Sequence, residues 1–447
     1  MNAMQKPGWL PLLGLLTLLW VAAGAQAQEI TIAPGAPIVV GVMTASYEGT
    51  ATFGVASEHG VILAHEERAS LRIGDAVFAI ALDHYDTACD DATAAAATTN
   101  LVQEDRAVGV IGPNCSNPCL AVAPLFDEAS FTSLSPSCSG PSLTEHGFRS
   151  FLRLANPNDR IAAPAIRYVK QATGIERLAI LRQGDDPYYS GLGDAAAAEF
   201  AALGGEIVVD RTLSDDLDPA QFLAEAQNAE ADAIFCACHY DPATTLLELM
   251  AEQPLVFIGE SHDWAAPLVA RLGSAADGVY FSSDYPLVFP ATRELAARYA
   301  EKFGARPLSP YFATGYDAYQ LLLDAVAQVA ALDDEGALHI DRAALNEALR
   351  STRDVVGVSG QISCGENGEC LTMPTAVLQI RDGKRFLLSV DIPEDLLDLI
   401  PDYGNLSCGN IRDEHQDGDF TSEHPAYTEN RDRDQDGLAC ELDHGWE

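Results

Sequence analysis

The chain has 447 residues, 48% of them hydrophobic, and a formal net charge of −40 at pH 7. That charge argues against nucleic acid and anionic membrane surfaces as partners, since both repel an acidic chain. The length exceeds the ~250–300 residues at which single cores stop growing, so more than one compact unit is expected.

Lys6, an apolar run from Trp9 to Ala23, and Ala25-Gln26-Ala27 read as a secretory signal peptide over residues 1–27. The run is too short for a spanning helix, and no later stretch approaches the ~18 uncharged apolar residues that one needs. No cysteine follows the cleavage site to carry a lipid. An exported, soluble protein in the periplasm is expected.

From Pro37 onward, apolar strands alternate with helical periods. PIVVGVM (37–43) is a strand, 54–68 a helix, AVFAIALDHYD (76–86) a strand and 91–104 an Ala-rich helix. Strand 107–112, helix 118–129 and strand 131–136 follow. After LANPNDR (154–160) the alternation resumes with strand 177–183, helix 190–203, strand 206–213 and helix 219–229. It continues through strand 231–238, helix 242–252, strand 254–260, helix 264–272 and strand 277–283. Strands alternating with 10–15-residue helices make parallel sheets covered on both faces, so the expected class is α/β with two doubly wound parallel-sheet lobes. Long helices at 291–304, 311–332 and 342–350 precede a hairpin of 355–364 with 373–380 and a last strand at 385–390. DIPEDLLDLIPDYG (391–404), with two prolines and five acids, reads as a linker.

Ten cysteines are an even number available for oxidation in an exported chain. Spacing suggests local pairs. Cys89 and Cys115 lie near the ends of consecutive strands, with Cys119 and Cys138 near the next turn. Cys364 and Cys370 flank a Gly-bearing turn, and Cys408 and Cys440 bracket the C-terminal segment. Cys236 and Cys238 point to one side of a strand, as buried thiols or as an unusual local bridge.

Open α/β sheets bind ligands at the C-terminal ends of their strands. Those ends carry Asn114-Cys115-Ser116 and Ser135-Pro136-Ser137-Cys138-Ser139, then Tyr188-Tyr189, Cys238-His239-Tyr240-Asp241 and Glu260-Ser261-His262-Asp263. Ser116 or Ser139 alone would serve equally as a helix cap. Together the five tips define a polar cleft. Gly-x-Ser-x-Gly is absent, His65-Glu66-Glu67-Arg68 lacks the second histidine of a zinc-protease helix, and no P-loop or dinucleotide fingerprint follows a strand. A binding protein is expected, not an enzyme.

The run VGVIGPNCSNPCLAVAPLFDEASFTSLSPSCSGPSLTEHGFRSFLR (108–153) resembles the signature of the leucine/isoleucine/valine-binding family of ABC-transporter solute receptors, with a type I periplasmic binding fold. GDDPYYSGLGDA, FATGYDAYQLLLDAV and GVSGQISCGENGE extend the resemblance over residues 37–390. It implies two lobes joined by three crossovers, lobe 1 about 37–155 and 286–350, lobe 2 about 156–285 and 351–390. It implies a staple between Cys89 and Cys115, with Ser116 addressing the ligand. The backbone of Cys138 and Ser139 would meet the ligand's carboxylate and ammonium. From the second lobe Tyr188, His239 or Tyr240, and Glu260 or Asp263 would close over it. The resemblance also implies a permease as partner and a receptor that works as a monomer. A sensor or surface-attached protein on the same fold is the alternative.

In the C-terminal segment Asp432, Asp434 and Asp436 stand at positions 1, 3 and 5, Gly437 at 6 and the Leu438 carbonyl at 7. That order suits Ca²⁺, which takes an oxygen shell around a sharp Gly turn, and Glu441 or Asp443 would complete it. With Cys408 ahead and Cys440 behind, residues 405–443 resemble the small EF-hand-like excalibur calcium-binding domain of extracellular bacterial proteins.

Overall fold

A computed structural model describes residues 29–391, apart from 47–50, 104–106, 185, 215–216, 251–252, 260–264 and 371–372, together with 396, 420–421 and 438–439. The expected signal peptide, the linker except Leu396, and nearly all of the calcium segment lie outside the described residues. No helix among those described is long and apolar enough to cross a membrane.

The first lobe begins with β1 (Glu29–Ile32), β2 (Ile38–Thr44), α1 (Ala51–Glu67), β3 (Ser70–Ile73), β4 (Ala76–Asp86) and α2 (Asp91–Gln103). It continues with β5 (Val110–Ile111), α3 (Ser116–Glu128), β6 (Ser133–Ser135), α4 (Ser142–Glu145) and β7 (Phe151–Arg153). The chain then crosses to α5 (Asn158–Thr173), β8 (Arg177–Arg182), α6 (Pro187–Ala202), β9 (Glu206–Thr212) and α7 (Pro219–Asn228). β10 (Ala233–Ala237), α8 (Tyr240–Met250), β11 (Val256–Gly259), α9 (Ala265–Leu272) and β12 (Tyr280–Asp284) complete that run. It returns as α10 (Pro290–Phe303), α11 (Tyr311–Val329), β13 (Ala331–Leu332), β14 (Leu338–Asp341) and α12 (Arg342–Arg350). Last come β15 (Val355–Val356), β16 (Gln361–Ile362), β17 (Thr375–Arg381) and β18 (Lys384–Asp391).

The first sheet runs β3-β4-β2-β5-β6-β7 and the second β18-β17-β12-β11-β10-β8-β9. Both are parallel in the middle, but each has an antiparallel edge, β3 on β4 and β18–β17 on β12, so the sheets are mixed where all-parallel ones were expected. Strand order reverses between β2 and β5 in one lobe and between β8 and β10 in the other. These are the two crevices where such sheets hold ligands.

Two expectations at the third crossover are corrected. Thr375–Arg381 pairs with β12 and β18, and the 355–362 hairpin closes on itself. Residues 351–370 also belong to lobe 1. Ile362, Cys364 and Cys370 sit in its apolar core, Asp317 of α11 accepts from the Val358 and Ser359 N–H groups, and Cys370 N–H donates to Arg153 O. The chain leaves lobe 1 only at about Met373.

Helices α1 and α11 approach backbone to backbone. A Cβ on Gly60 would lie 2.0 Å from the Phe312 carbonyl oxygen, and one on Gly315 would lie 2.3 Å from that of Ser57. Neither obstacle is a flexible side chain, so the helices would have to separate. Gly60→Ala should cost at least the 1–3 kcal/mol typical of overpacking. A urea midpoint equal to wild type would show slack that this packing does not contain.

Candidate ligand cleft

At the first lobe's crevice, Cys115 caps α3 and is bridged to Cys89, while Cys119 is bridged to Cys138. The first link ties the turn after β4 to the turn after β5, and the second ties α3 to the turn after β6. Ser135 Oγ donates to the Pro113 carbonyl (2.8 Å) and accepts from Cys138 N–H (3.0 Å). The Cys138 N–H is therefore occupied, and only its carbonyl could face a solute. Ser116, 6% exposed, accepts from Gly140 N–H through Oγ (3.1 Å). As a hydroxyl it keeps a proton to donate. Ser139 is fully buried, and its Oγ has no protein partner.

The second lobe brings its own groups. Asp186 caps α6, accepting from Tyr188 N–H (2.8 Å), with Pro187 preset at the first helical position. Its other oxygen accepts from Asn117 Nδ2 of α3 (3.1 Å), a hydrogen bond that spans the two lobes. Burial raises the Asp186 pKa, opposed by its bond to Tyr188 and by His239. Tyr189 hydroxyl and His239 Nδ1 are 2.8 Å apart, with their rings edge to face. Desolvation lowers the His239 pKa, against the pull of Asp186 and Asp241, so the imidazole is neutral near pH 7. Tyr240 turns away, its hydroxyl donating to the Pro267 carbonyl (3.0 Å). Of the expected pair, His239 stands with the α6 tyrosines and Tyr240 does not. Glu260 and Asp263 lie outside the described residues.

Sequence reasoning placed Tyr189 at a strand end without giving it a ligand contact, and it missed Asp186, Asn117 and Asn158 as members of this constellation. Only Asp186 carried a local signal, an Asp-Pro pair of the kind that opens a helix. Cys236 and Cys238 are bridged to each other across the C-terminal end of β10, and Cys364 is bridged to Cys370. Cys408 and Cys440 lie outside the described residues. So do Asp432, Asp434, Asp436, Glu441 and Asp443, while Leu438 lies in a short strand paired with Phe420–Thr421. Among the described residues, no three His, Cys, Asp or Glu side chains stand together as a metal site.

The three crossovers meet at Asn156, which is fully buried. Its Nδ2 donates to Asp284 Oδ1 (2.6 Å) and to the Met373 carbonyl (3.0 Å), and its Oδ1 accepts from Met373 N–H (3.1 Å). One side chain on the first crossover thus holds the second and third. A separate groove of about 760 Å³ lies between α5, α6 and the third crossover, lined in part by Arg160, Arg167 and Glu199. Asp391, at the end of edge strand β18, reaches it, but the ends of the switch-point strands do not, and Arg167 there is paired with Glu199 and Asp391.

Two α/β lobes on a triple hinge, with polar loops facing each other at both switch points, define a bilobal solute-binding protein. The chain belongs to the periplasmic binding protein family, whose model matches residues 37–385, and it is a solute-binding protein rather than an enzyme. It is 26% identical over 238 residues to an amino acid binding protein of Pseudomonas aeruginosa, matching 52% of this chain and 62% of that protein's length. It is 24% identical over 325 residues to the leucine-specific-binding protein of Salmonella typhimurium, 70% of this chain and 83% of that one. The structure of a leucine binding protein from Thermotoga maritima superposes with a TM-score of 0.69 at 25% identity, over 80% of this chain and all of that one.

Proposed function

We propose that the chain is the receptor of an ABC importer, binding an amino acid or a related small carboxylate or amide between its lobes and delivering it to a membrane permease from the periplasm. The observation that carries this reading is the cleft itself. Ser116, Ser139, Tyr188 and His239 gather at opposing strand ends, and the Ser139 hydroxyl is buried without a protein partner. Relatives named for amino acids and leucine support the solute class. Ser116 and Ser139 would bond the carboxylate, the Cys138 carbonyl and Glu260 the cationic end, and Tyr188 with His239 would cover the solute. Closure would shift the population toward the state in which both lobes touch it.

A thermal-shift screen across amino acids and amides tests the class, and calorimetry tests the residues. Ser116→Ala should weaken the identified solute ten- to hundredfold, the ~1.5–3 kcal/mol of a hydrogen bond to a charged group. Glu260→Gln should harm amino acids far more than ligands without an ammonium group. Wild-type affinity in both variants would move the site elsewhere.

The same reading gives the C-terminal segment an excalibur module that binds Ca²⁺ through Asp432, Asp434, Asp436, the Leu438 carbonyl and Glu441, closed by Cys408–Cys440. Titrating Ca²⁺ into the full-length oxidised protein should give heat that Asp434→Ala abolishes. Equal heats from both proteins would leave only a solvated acidic tail.

A further inference from the structure

Asn158 opens α5 just past the first crossover, and it is fully buried. Its N–H donates to the Ser139 carbonyl of lobe 1 (3.1 Å). Its Nδ2 donates to the Tyr188 carbonyl of lobe 2 (2.5 Å). That second bond fixes which amide atom is which, because a flipped amide would set oxygen against carbonyl oxygen. The atom left over is Oδ1, buried and without a protein partner. Native interiors rarely leave such an acceptor unsatisfied, so it calls for an explanation. Ser139 Oγ, on the residue that Asn158 holds, is buried and unpartnered as well. Two open polar atoms, one from each lobe, therefore stand on residues joined by a hydrogen bond.

The approach of α6 to Asn158 is set by sequence. A Cβ on Gly191 of α6 would lie 2.8 Å from Asn158 Nδ2 and 2.6 Å from Pro141 Cδ, so only glycine lets α6 come this close. The chemistry of the pair is asymmetric. An amide oxygen only accepts, whereas a hydroxyl does both. A carboxylate against Oδ1 would be repelled, while an ammonium or amide N–H would satisfy it.

We infer that Asn158 is a solute-contacting residue whose Oδ1 accepts a hydrogen bond from a nitrogen donor of the solute, beside the Ser139 hydroxyl. This rests on the proposed receptor function and narrows its ligand to molecules bearing an ammonium or amide N–H, excluding simple carboxylates. It also makes the solute a bridge between lobes at a residue already bonded to both.

The test uses the full-length protein, the tightest binder among the twenty L-amino acids from the thermal-shift screen, and that binder's deamino analogue. By calorimetry, Asn158→Ala should lose ten- to hundredfold in affinity for the amino acid and less than about twofold for the deamino acid. If Asn158→Ala does not fold, Asn158→Ser takes its place. It keeps a short acceptor at the helix start and should show a smaller loss, again confined to the amino acid. Equal losses for both ligands would mean that Asn158 only supports the fold, and unchanged affinity for both would mean that Oδ1 meets water. Either result overturns the inference and leaves the receptor function standing. A wild-type protein that binds none of the amino acids and amides overturns the inference, and one that binds no small carboxylate either overturns both.

Discussion

Glu369→Ala is expected to destabilise the protein by about 3–5 kcal/mol, the usual penalty for leaving a buried charge without its partner. The charge is Arg153, 1% exposed at the end of β7. Its Nη2 lies 2.6 Å from Glu369 Oε1 and 3.0 Å from Thr144 Oγ1, and Nη1 donates to the Gly140 carbonyl (2.9 Å). The Glu369 side chain is 28% exposed, which favours the lower end of the range. Gly140 N–H in turn holds Ser116, so the loss should reach the cleft and weaken solute binding too. Urea denaturation measures the first effect and calorimetry the second. A change below ~1 kcal/mol would show that water screens the pair as it screens surface bridges. Desolvation alone would raise the Glu369 pKa, but Arg153 together with the hydrogen bonds of Thr144 and Asn367 outweighs it, and the net shift is downward. The pair's contribution is therefore present above the ordinary glutamate pKa and fades as pH falls below it.

Asp284→Asn should have the opposite sign. Asp284 is 2% exposed, Asn156 bonds one of its oxygens and the other has no partner, and burial pushes its pKa up to about 7. An acid whose pKa is raised on folding binds more protons folded than unfolded, so stability falls as pH rises from about 4 to 7. Asp317, buried under the 355–362 hairpin and pushed up to about 6, adds to the same slope. An asparagine at 284 keeps the acceptor for Asn156 and removes the ionisation. At pH 8 the variant should exceed wild type by up to about 4 kcal/mol. At pH 4, where both side chains are neutral, the two should melt alike. Identical melting temperatures at both pH values would mean that water or a cation reaches the carboxylate. With Glu369 failing at the acid end and Asp284 with Asp317 at the neutral end, the wild-type protein should be most stable near pH 5.

Most of the lobe architecture was legible because buried parallel strands are near-continuous apolar runs. PIVVGVM and ADAIFCAC announce themselves, and their order gives the switch points. The pairing of the last strands was not. Apolar periodicity marks a strand but not its neighbour, which turn chemistry decides. The deciding turn is Asp382-Gly383, with φ of 50° and 70°, the pair that a two-residue hairpin requires. It lies between β17 and β18 and outranks the longer loop after β16. The edge strand Ser70–Ile73 was missed since SLRI buries only alternate residues and reads as a connection. For the candidate cleft, strand-end residues such as Ser116 and Tyr188 could be nominated from position. Asn158 could not, since nothing in its local sequence separates an amide that caps from one that waits for a ligand.

Asn156 has a mechanical corollary. Hydrogen bonds tolerate only a few tenths of an ångström of stretch, so a side chain tied to both other crossovers can survive lobe rotation only where displacement is almost nil. The axis of opening therefore runs close to Asn156, and each lobe is a lever arm swinging from it. Groups far from that axis separate widely for a small angle. Asn158, two residues from the pivot along the chain, should move little as the outer arms swing.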